Sequence, residues 1–190
     1  MVDQPAAPTL PDGSEAESDA AFAAAIAIVL SHEGGFQAMP GDPGNWSGGK
    51  VGLGELKGTK YGISAAQYPT LDIAGLSAVG AAAIYRRDWW DRFGLARLPA
   101  ALAAKLFDAG VNIGMANAVR CLQRALRACG ASVLEDGKLG TATLAAIAAT
   151  TPAALLSALR EALAGHYRLI AARNKAQQRF LAGWLVRAYS

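Results

Sequence analysis

The chain has 190 residues, of which 53% are hydrophobic and 17% charged, and its formal net charge is +3. A chain of this length and hydrophobicity can bury one substantial core or two smaller ones, which excludes a largely disordered protein. The charge excess is too small to indicate nucleic-acid binding, although it suits an anionic polymer such as a bacterial cell wall.

Residues 1–18 are predicted to form a flexible tail that is acidic, contains prolines and has no basic segment at its start. This composition does not resemble a classical signal peptide, so we expect a protein made in the cytoplasm without one. The apolar run of residues 20–30 is far shorter than the roughly 20 residues that a membrane span requires. We therefore expect no membrane insertion.

The first predicted helix follows this tail and ends in the sequence SHEGGF. Its apolar residues share one stripe of the helical wheel and are Phe22, Ile26, Val29 and Leu30. Glu33 falls in line with that stripe at the last turn, where Gly34 and Gly35 can end the helix. Partial burial and the negative end of the helix dipole both favour a protonated carboxyl group there, as a general acid requires. The wheel alone equally allows a glutamate that reaches solvent or pairs with an arginine.

A glycine-rich segment, GDPGNWSGGKVGLGELKG, occupies residues 41–58 and predicts a loop or small hairpin, with a β element near residues 47–58. Asp42 before Pro43 is typical of a turn whose side chain bonds the backbone. Together with Glu33, however, it supplies the second carboxyl group that glycoside hydrolysis needs to activate water or to stabilise positive charge.

The sequence GTKYGIS follows at residues 58–64. The hydroxyl group of Thr59 could orient the attacking water, and Tyr61 could stack on a sugar or simply pack in the protein. Trp46 in the preceding loop is a further predicted substrate contact, and Ile63 is predicted to be core. No cofactor is needed for such a reaction.

The segments SHEGGF, GDPGNWSGG and GTKYGIS together resemble glycoside hydrolase family 108, the bacterial and prophage N-acetylmuramidases. The resemblance implies a lysozyme-like fold and Glu33 as the catalytic acid. Phage-type lysozymes of similar design place an Asp after eight intervening residues, as Asp42 is here, and a Thr after five more. Thr59 instead lies seventeen residues after Asp42, so the intervening segment is an insertion, and it brings Glu55 into contention as the second carboxylate. We prefer Asp42, because Glu55 is predicted to lie in an exposed hairpin.

The remainder of the chain is predicted to be helical. Residues 77–93 are predicted to form one helix, in which one of the adjoining Trp89 and Trp90 is core. On the next helix Asp108 and Asn112 share a face, either as a hydrogen-bonded brace or as a lining of the cleft, and Asn112 is a candidate substrate contact.

The pattern LQ…DGKLGTAT of residues 122–143 resembles small peptidoglycan-binding helical modules, and the chain end resembles the C-terminal part of the same module. Physically, the pattern is equally consistent with a purely structural turn followed by a helix that Thr141 caps. Both cysteines, Cys121 and Cys129, are predicted to be core residues. The two histidines are far apart in sequence with no cysteine at ligand spacing, so no metal site is expected.

These expectations combine into a mainly α, lysozyme-like protein with a small β-hairpin near the active-site loop. Its predicted parts are a tail at 1–18, a catalytic domain at 19–115 and a helical peptidoglycan-binding module at 116–190. The predicted reaction is hydrolysis of the β-1,4 bond after N-acetylmuramic acid in peptidoglycan strands. We expect a monomer that reaches the wall through a holin-like or other export route. The alternatives are a non-catalytic wall-binding or secretion-assisting protein and a lytic transglycosylase, which needs no second carboxylate.

Overall fold

The computed structural model describes residues 15–32 and 35–190. The protein is 64% helical, with seven α-helices and one two-stranded antiparallel sheet in its described residues, which confirms the predicted mainly α fold with a small hairpin. The helices are α1 (Glu15–His32), α2 (Ala78–Tyr85), α3 (Ala100–Ile113), α4 (Met115–Ala128), α5 (Thr141–Ala149), α6 (Pro152–Arg173) and α7 (Leu181–Tyr189). The strands are β1 (Thr59–Lys60) and β2 (Ile63–Ser64). No helix in the described ranges is both long and apolar enough to cross a membrane.

The chain divides into two compact units. One comprises residues 22–92, and the other comprises residues 93–190 with residues 15–21. The domain boundaries drawn from the sequence, at residues 18 and 115, stay a prediction.

In the unit of residues 22–92, helix α1 buries the stripe that its sequence predicts. Phe22, Ile26 and Val29 are all buried, and Ala25 joins them, while Leu30 is half-buried. The ring of Phe22 meets that of Trp90 edge to face with centroids 5.5 Å apart, a favourable geometry for two aromatic rings. Glu33, predicted to continue this stripe, and Gly34 lie outside the described residues.

The hairpin lies slightly later in the chain than the sequence indicates. β1 pairs with β2 in the register Lys60↔Ile63, so Tyr61 and Gly62 alone form the turn. Both have positive φ, 52° and 75°, as a two-residue turn that matches the twist of the strands requires. Residues 47–58 contain no strand; only an isolated bridge, Trp46↔Leu56, closes that segment. Ile63 is buried as predicted.

The helix predicted over residues 77–93 is only partly regular. α2 ends at Tyr85, and the chain continues as a π-helical turn, Arg86–Asp91. Trp90 is fully buried and Trp89 half-buried, which confirms that one of the two is core. A π-helical turn rotates the residues beyond it relative to an α-helix, which the α-helical period of the sequence does not anticipate.

In the other unit, α4 packs against α3 and α6, and α7 packs against α6. Its buried side chains are mainly leucines at helical spacing, such as Leu122 and Leu126 on α4. Cys121 is buried with them, and burial raises the pKa of its thiol to about 11. The prediction for Cys129 was wrong: this thiol is exposed, because α4 ends at Ala128 and Cys129 caps it before the turn at Gly130.

The DGKLGTAT segment is organised by Gln123 of α4, which is 1% exposed. Its Nε2 donates to Asp136 Oδ1 at 2.7 Å and to the Lys138 carbonyl oxygen at 3.0 Å, and its Oε1 accepts the Gly137 N–H at 2.9 Å. Gly137 has φ 77°, and a Cβ there would lie 2.8 Å from the Ala116 carbonyl oxygen. Thr141 makes no capping bond, contrary to the prediction, because Gly140 occupies the cap position. The pattern therefore has a structural origin that its residues alone explain.

We expect Gln123→Met to lower the free energy of unfolding by about 2 kcal/mol. Methionine has a similar volume but leaves the buried hydrogen-bonding groups of this turn without their partner. Chemical denaturation monitored by circular dichroism measures the effect. Arg120→Met, at an exposed site on the same helix, is the control and should change stability by no more than about 0.5 kcal/mol. Equal midpoints for the two variants would contradict the structural role of Gln123.

Candidate active site

The segment after α1 is held to the hairpin by a pair of backbone hydrogen bonds. The Gln37 N–H donates to the Thr59 carbonyl oxygen at 2.9 Å, and the Thr59 N–H donates to that of Gln37 at 2.8 Å. This isolated bridge fixes the chain four residues beyond Glu33 against the first residue of β1.

Asn45 is the centre of the loop and is fully buried. Its Nδ2 donates to Gln37 Oε1 at 2.8 Å and to the Met39 carbonyl oxygen at 3.1 Å. Its Oδ1 accepts from Gln37 Nε2 at 3.1 Å and from Thr59 Oγ1 at 2.7 Å. A carboxamide offers two donors and two acceptor sites, so Asn45 is fully satisfied. Sequence reasoning missed it, because an asparagine in a glycine-rich loop is ordinarily a turn residue.

The backbone of Asn45 also closes the inserted segment. Its carbonyl oxygen accepts the N–H groups of both Lys57 and Gly58 at 3.0 Å, and Ser47 N–H donates to the Glu55 carbonyl oxygen at 2.9 Å. The chain thus leaves at Asn45 and returns to it twelve residues later. The insertion is a closed excursion, which allows Asp42 and Thr59 to be held by one residue despite their separation in sequence.

Thr59 has its hydroxyl proton committed to Asn45, and its side chain is half-buried. A hydroxyl group that has donated its proton can only accept further hydrogen bonds. The oxygen of Thr59 can therefore accept a hydrogen bond from a neighbouring water molecule and so orient that water's lone pairs.

Asp42 begins the short 3₁₀ helix Pro43–Asn45, and its Oδ1 accepts the Gly44 N–H at 2.8 Å. It is the turn residue that the dipeptide Asp-Pro predicts. Its side chain is exposed, and among the described residues no hydrogen-bond donor contacts Oδ2. The Asn45 N–H donates to the Asp42 carbonyl oxygen at 3.2 Å, which ties Asp42 to the central asparagine.

Three other carboxylates of this unit, Glu55, Asp88 and Asp91, are engaged in ion pairs, whereas Asp72 accepts the Gly75 N–H at 3.1 Å. Glu55 is 77% exposed and lies 3.5 Å from Lys57 Nζ, as expected of a solvated glutamate. Both oxygens of Asp88 accept from Arg87 at 2.6 Å, and Oδ2 also accepts the hydroxyl of Tyr68 at 2.7 Å.

The hydrogen bonds from Arg87 and Tyr68, with that of Arg87 the stronger, lower the pKa of Asp88 to about 2. Burial, followed by the hydrogen bond to the Asp88 carboxylate, raises the pKa of Tyr68 to about 12. Neither group exchanges a proton near neutral pH, which excludes both as the acid or base.

The predicted aromatic contacts, Trp46 and Tyr61, flank this loop. The indole N–H of Trp46 donates to the Pro40 carbonyl oxygen at 2.8 Å, which fixes a half-buried ring. The Tyr61 carbonyl oxygen accepts the hydroxyl of Tyr85 at 3.0 Å, and Lys60 Nζ lies 5.6 Å from the Tyr61 ring centre. The bond to Pro40 holds the ring of Trp46, whereas the bond from Tyr85 holds the backbone of Tyr61, and both side chains are half-buried.

A depression of about 320 Å³ lies beside the bridge. Its lining includes Phe36, which is 49% exposed, Leu56, Lys57 and residues 70–74. A side chain at Gly58 would collide with the ring of Phe36, so that ring covers Gly58 while the side chain of Thr59 turns towards Asn45.

Asn112, the remaining predicted contact, belongs to the other unit. It is exposed near the end of α3, and its Oδ1 accepts the hydroxyl of Tyr167 at 2.9 Å. Asp108 pairs with Arg187 at 2.9 Å rather than with Asn112. These bonds favour the brace over the cleft lining. Within residues 15–32 and 35–190, no three His, Cys, Asp or Glu side chains come together as metal ligands would.

Comparison with known families covers most of the chain. Residues 26–114 match the family described as Glycosyl hydrolase 108, and residues 117–189 match the Predicted Peptidoglycan domain. Both matches agree with the resemblances that the sequence motifs indicate. The chain is thus a glycoside hydrolase of a muramidase-type family, with a peptidoglycan-binding domain at its C-terminal end.

Among eleven matching chains of solved structures is that of Brucella abortus SagA. It is 25% identical to this chain with a TM-score of 0.62, and the match covers 90% of this chain and 95% of that one. No curated protein matches the sequence. The similarity extends over both family segments.

Tyr61 is the one described non-glycine residue of this family 108 protein with positive φ. A left-handed conformation costs a large side chain on the order of 1–3 kcal/mol, and such strain concentrates at functional sites. Asparagine adopts it more readily. The presence of tyrosine here therefore supports a functional use of the ring.

We expect Tyr61→Asn to raise the free energy of unfolding by about 1 kcal/mol, because it relieves the backbone strain, and to slow the hydrolysis of peptidoglycan by removing the ring. Thermal unfolding and the release of reducing ends measure the two effects. Tyr61→Phe keeps the ring and the strain and should match the wild type in both. A less stable Tyr61→Asn protein with full activity would refute this assignment.

Proposed function

We propose that the protein is an endolysin-like N-acetylmuramidase. It hydrolyses the β-1,4 bond between N-acetylmuramic acid and N-acetylglucosamine, with Glu33 as the general acid. The family supports the class of reaction, and the position of Glu33 directly after the buried stripe of α1 supports the role. The acid donates its proton to the glycosidic oxygen as the bond to the sugar carbon breaks.

Asp42 is the proposed second carboxylate. Its Oδ2 is uncommitted among the described residues, whereas Glu55 pairs with Lys57. As a base it would take a proton from the attacking water, and as an anion it would stabilise the positive charge that develops at the sugar carbon.

Thr59 is the proposed water-positioning residue. The observation that carries this part of the proposal is that Asn45 bonds the side chain of Thr59 and the backbone of Asp42 at once. A residue held by a buried, fully satisfied partner keeps its geometry without an ordering cost during the reaction.

Tyr61 and Trp46 are the proposed sugar contacts, since fixed aromatic rings suit the apolar faces of pyranoses. The peptidoglycan-binding domain supports action at the cell wall. Because peptidoglycan lies beyond the cytoplasmic membrane, a holin-like or other export route is part of the proposal, as is action by a monomer without nucleic acid.

A second candidate is a lytic transglycosylase, in which the sugar's own hydroxyl attacks and one glutamate suffices. The bond between Asp42 and Gly44 favours it, because that bond gives Asp42 a structural reason to be present. In the hydrolase a water molecule attacks the sugar carbon and leaves a reducing end. In the transglycosylase a hydroxyl group of the same sugar attacks and leaves an anhydromuramic end.

Three carboxylate variants distinguish the reactions. Glu33→Gln should abolish the release of fragments from purified peptidoglycan while leaving wall binding intact. Asp42→Asn keeps an oxygen for the Gly44 N–H and should lower hydrolysis by about 10²–10⁴-fold. Glu55→Gln is the matched control and should be fully active. Mass spectrometry identifies the fragments.

Activity retained by Glu33→Gln would reject the proposed acid. Activity retained by Asp42→Asn, with anhydromuramic ends in the digest, would instead establish the transglycosylase. If the Asp42→Asn variant no longer releases reducing ends from peptidoglycan, the result supports the hydrolase.

A further inference from the structure

The positive charge of the chain is concentrated in its last part. Residues 162–190 contain five Arg or Lys residues and no Asp or Glu, whereas residues 1–161 contain thirteen basic and fifteen acidic residues. Arg187 pairs with Asp108 in a largely buried bridge. The remaining four are exposed and are Arg168, Arg173, Lys175 and Arg179. Among the described residues none of these four forms an ion pair, so this segment presents a cationic surface.

Three aromatic rings lie in a row beneath this surface. Tyr167 of α6 is buried and stacks on Trp184 of α7, with ring centres 5.4 Å apart and planes inclined by 24°. Phe180 lies 5.8 Å from Trp184 on the outer side and is 45% exposed. The row thus runs from the core of this unit to its surface and gives the outer ring a rigid support.

Arg179 covers the outermost ring. Its guanidinium carbon lies 4.7 Å from the centre of Phe180, within the range of a cation–π contact. A guanidinium group stacked by its face keeps the N–H donors at its edge available for a planar acceptor. The contact with Phe180 therefore restrains Arg179, whose exposed N–H donors suit a carboxylate.

The backbone that carries these residues is also fixed. Lys175–Phe180 is a 3₁₀ turn between α6 and α7, and Asn174 begins it by accepting the Ala176 N–H at 3.0 Å. Glu161, the acidic residue closest in sequence, already accepts the hydroxyl of Tyr189 at 3.0 Å.

We propose that the surface formed by Arg173, Lys175, Arg179 and Phe180 binds the stem peptides of peptidoglycan through their carboxylates. The inference rests on the proposed function and locates the wall contact of the C-terminal domain. The sugar rings of the glycan are neutral, so its negative charge is carried by the peptide carboxylates. A carboxylate also matches the fork of donors that Arg179 presents.

The test compares two arginine variants in a pull-down with purified peptidoglycan. Arg179→Gln should weaken binding about tenfold, the effect of losing one charge-assisted hydrogen bond. Arg127→Gln is the matched control, because it removes the same charge from an exposed site of the same unit. It should bind as the wild type does. Thermal unfolding verifies that both variants are folded.

A second arm uses peptidoglycan whose carboxylates have been converted to amides. The wild type should bind these amidated walls about as weakly as Arg179→Gln binds untreated walls. On amidated walls, Arg179→Gln and Arg127→Gln should bind equally. Equal binding of Arg179→Gln and Arg127→Gln to untreated walls would overturn the proposal. Binding that survives amidation but is lost when wall phosphate polymers are removed would overturn it in favour of a phosphate ligand.

Glycan strands stripped of their stem peptides, with the lactyl carboxylates that this exposes converted to amides, separate this proposal from the hydrolase itself. Wild type and Arg179→Gln should cleave stripped strands at the same rate, because neither can use the peptide contact. No cleavage of stripped strands by either protein would reject the proposed hydrolase, whereas the pull-down decides independently whether the cationic surface binds carboxylates. Slower cleavage of stripped strands by Arg179→Gln would contradict the peptide contact.

Discussion

The buried carboxamide of Asn45 is the interaction on which the candidate site depends. A buried amide is costly unless all its polar atoms are bonded, and the four bonds here reach three residues, Gln37, Met39 and Thr59. Low surrounding polarity strengthens such bonds, so the network is more rigid than its individual contacts suggest. The glycine-rich sequence around it would otherwise have no reason to adopt one conformation.

This constraint explains how the site tolerates a long insertion. Because the chain leaves and re-enters at Asn45, residues 46–57 can vary in length without moving Thr59 relative to Asp42. The departure from the shorter spacing of phage-type lysozymes is therefore compatible with the proposed roles. The tip of the insertion, with Val51 and Leu53 more than half exposed, carries none of the bonds that hold the site.

The helical part of the fold could be predicted because periodic burial leaves a direct mark on the sequence. The stripe of α1 and the apolar spacing of α4 are examples. The π-helical turn after Tyr85 and the exposed Cys129 could not, since both depend on where tertiary packing ends a helix rather than on local composition. The hairpin was expected a few residues early, because Tyr-Gly is an unusual pair for its turn.

The site was only partly predictable for a similar reason. Types of residue with obvious chemistry, such as Asp42 and Thr59, could be selected by spacing and by family resemblance. Asn45 and Gln37 could not, because their importance lies in which groups they bond across the loop. The contact of Arg179 with Phe180 likewise depends on the turn between α6 and α7, which no sequence pattern indicates.

The most direct measurement of the central claim is a double-mutant cycle between Asn45 and Thr59. Asn45→Ala, Thr59→Val and the double variant are compared with the wild type by chemical denaturation. We predict a coupling free energy of about 1 kcal/mol or more, because Thr59→Val should cost little once Asn45 is absent. Losses that add to within about 0.3 kcal/mol would mean that Asn45 does not hold the Thr59 hydroxyl, and would contradict the account.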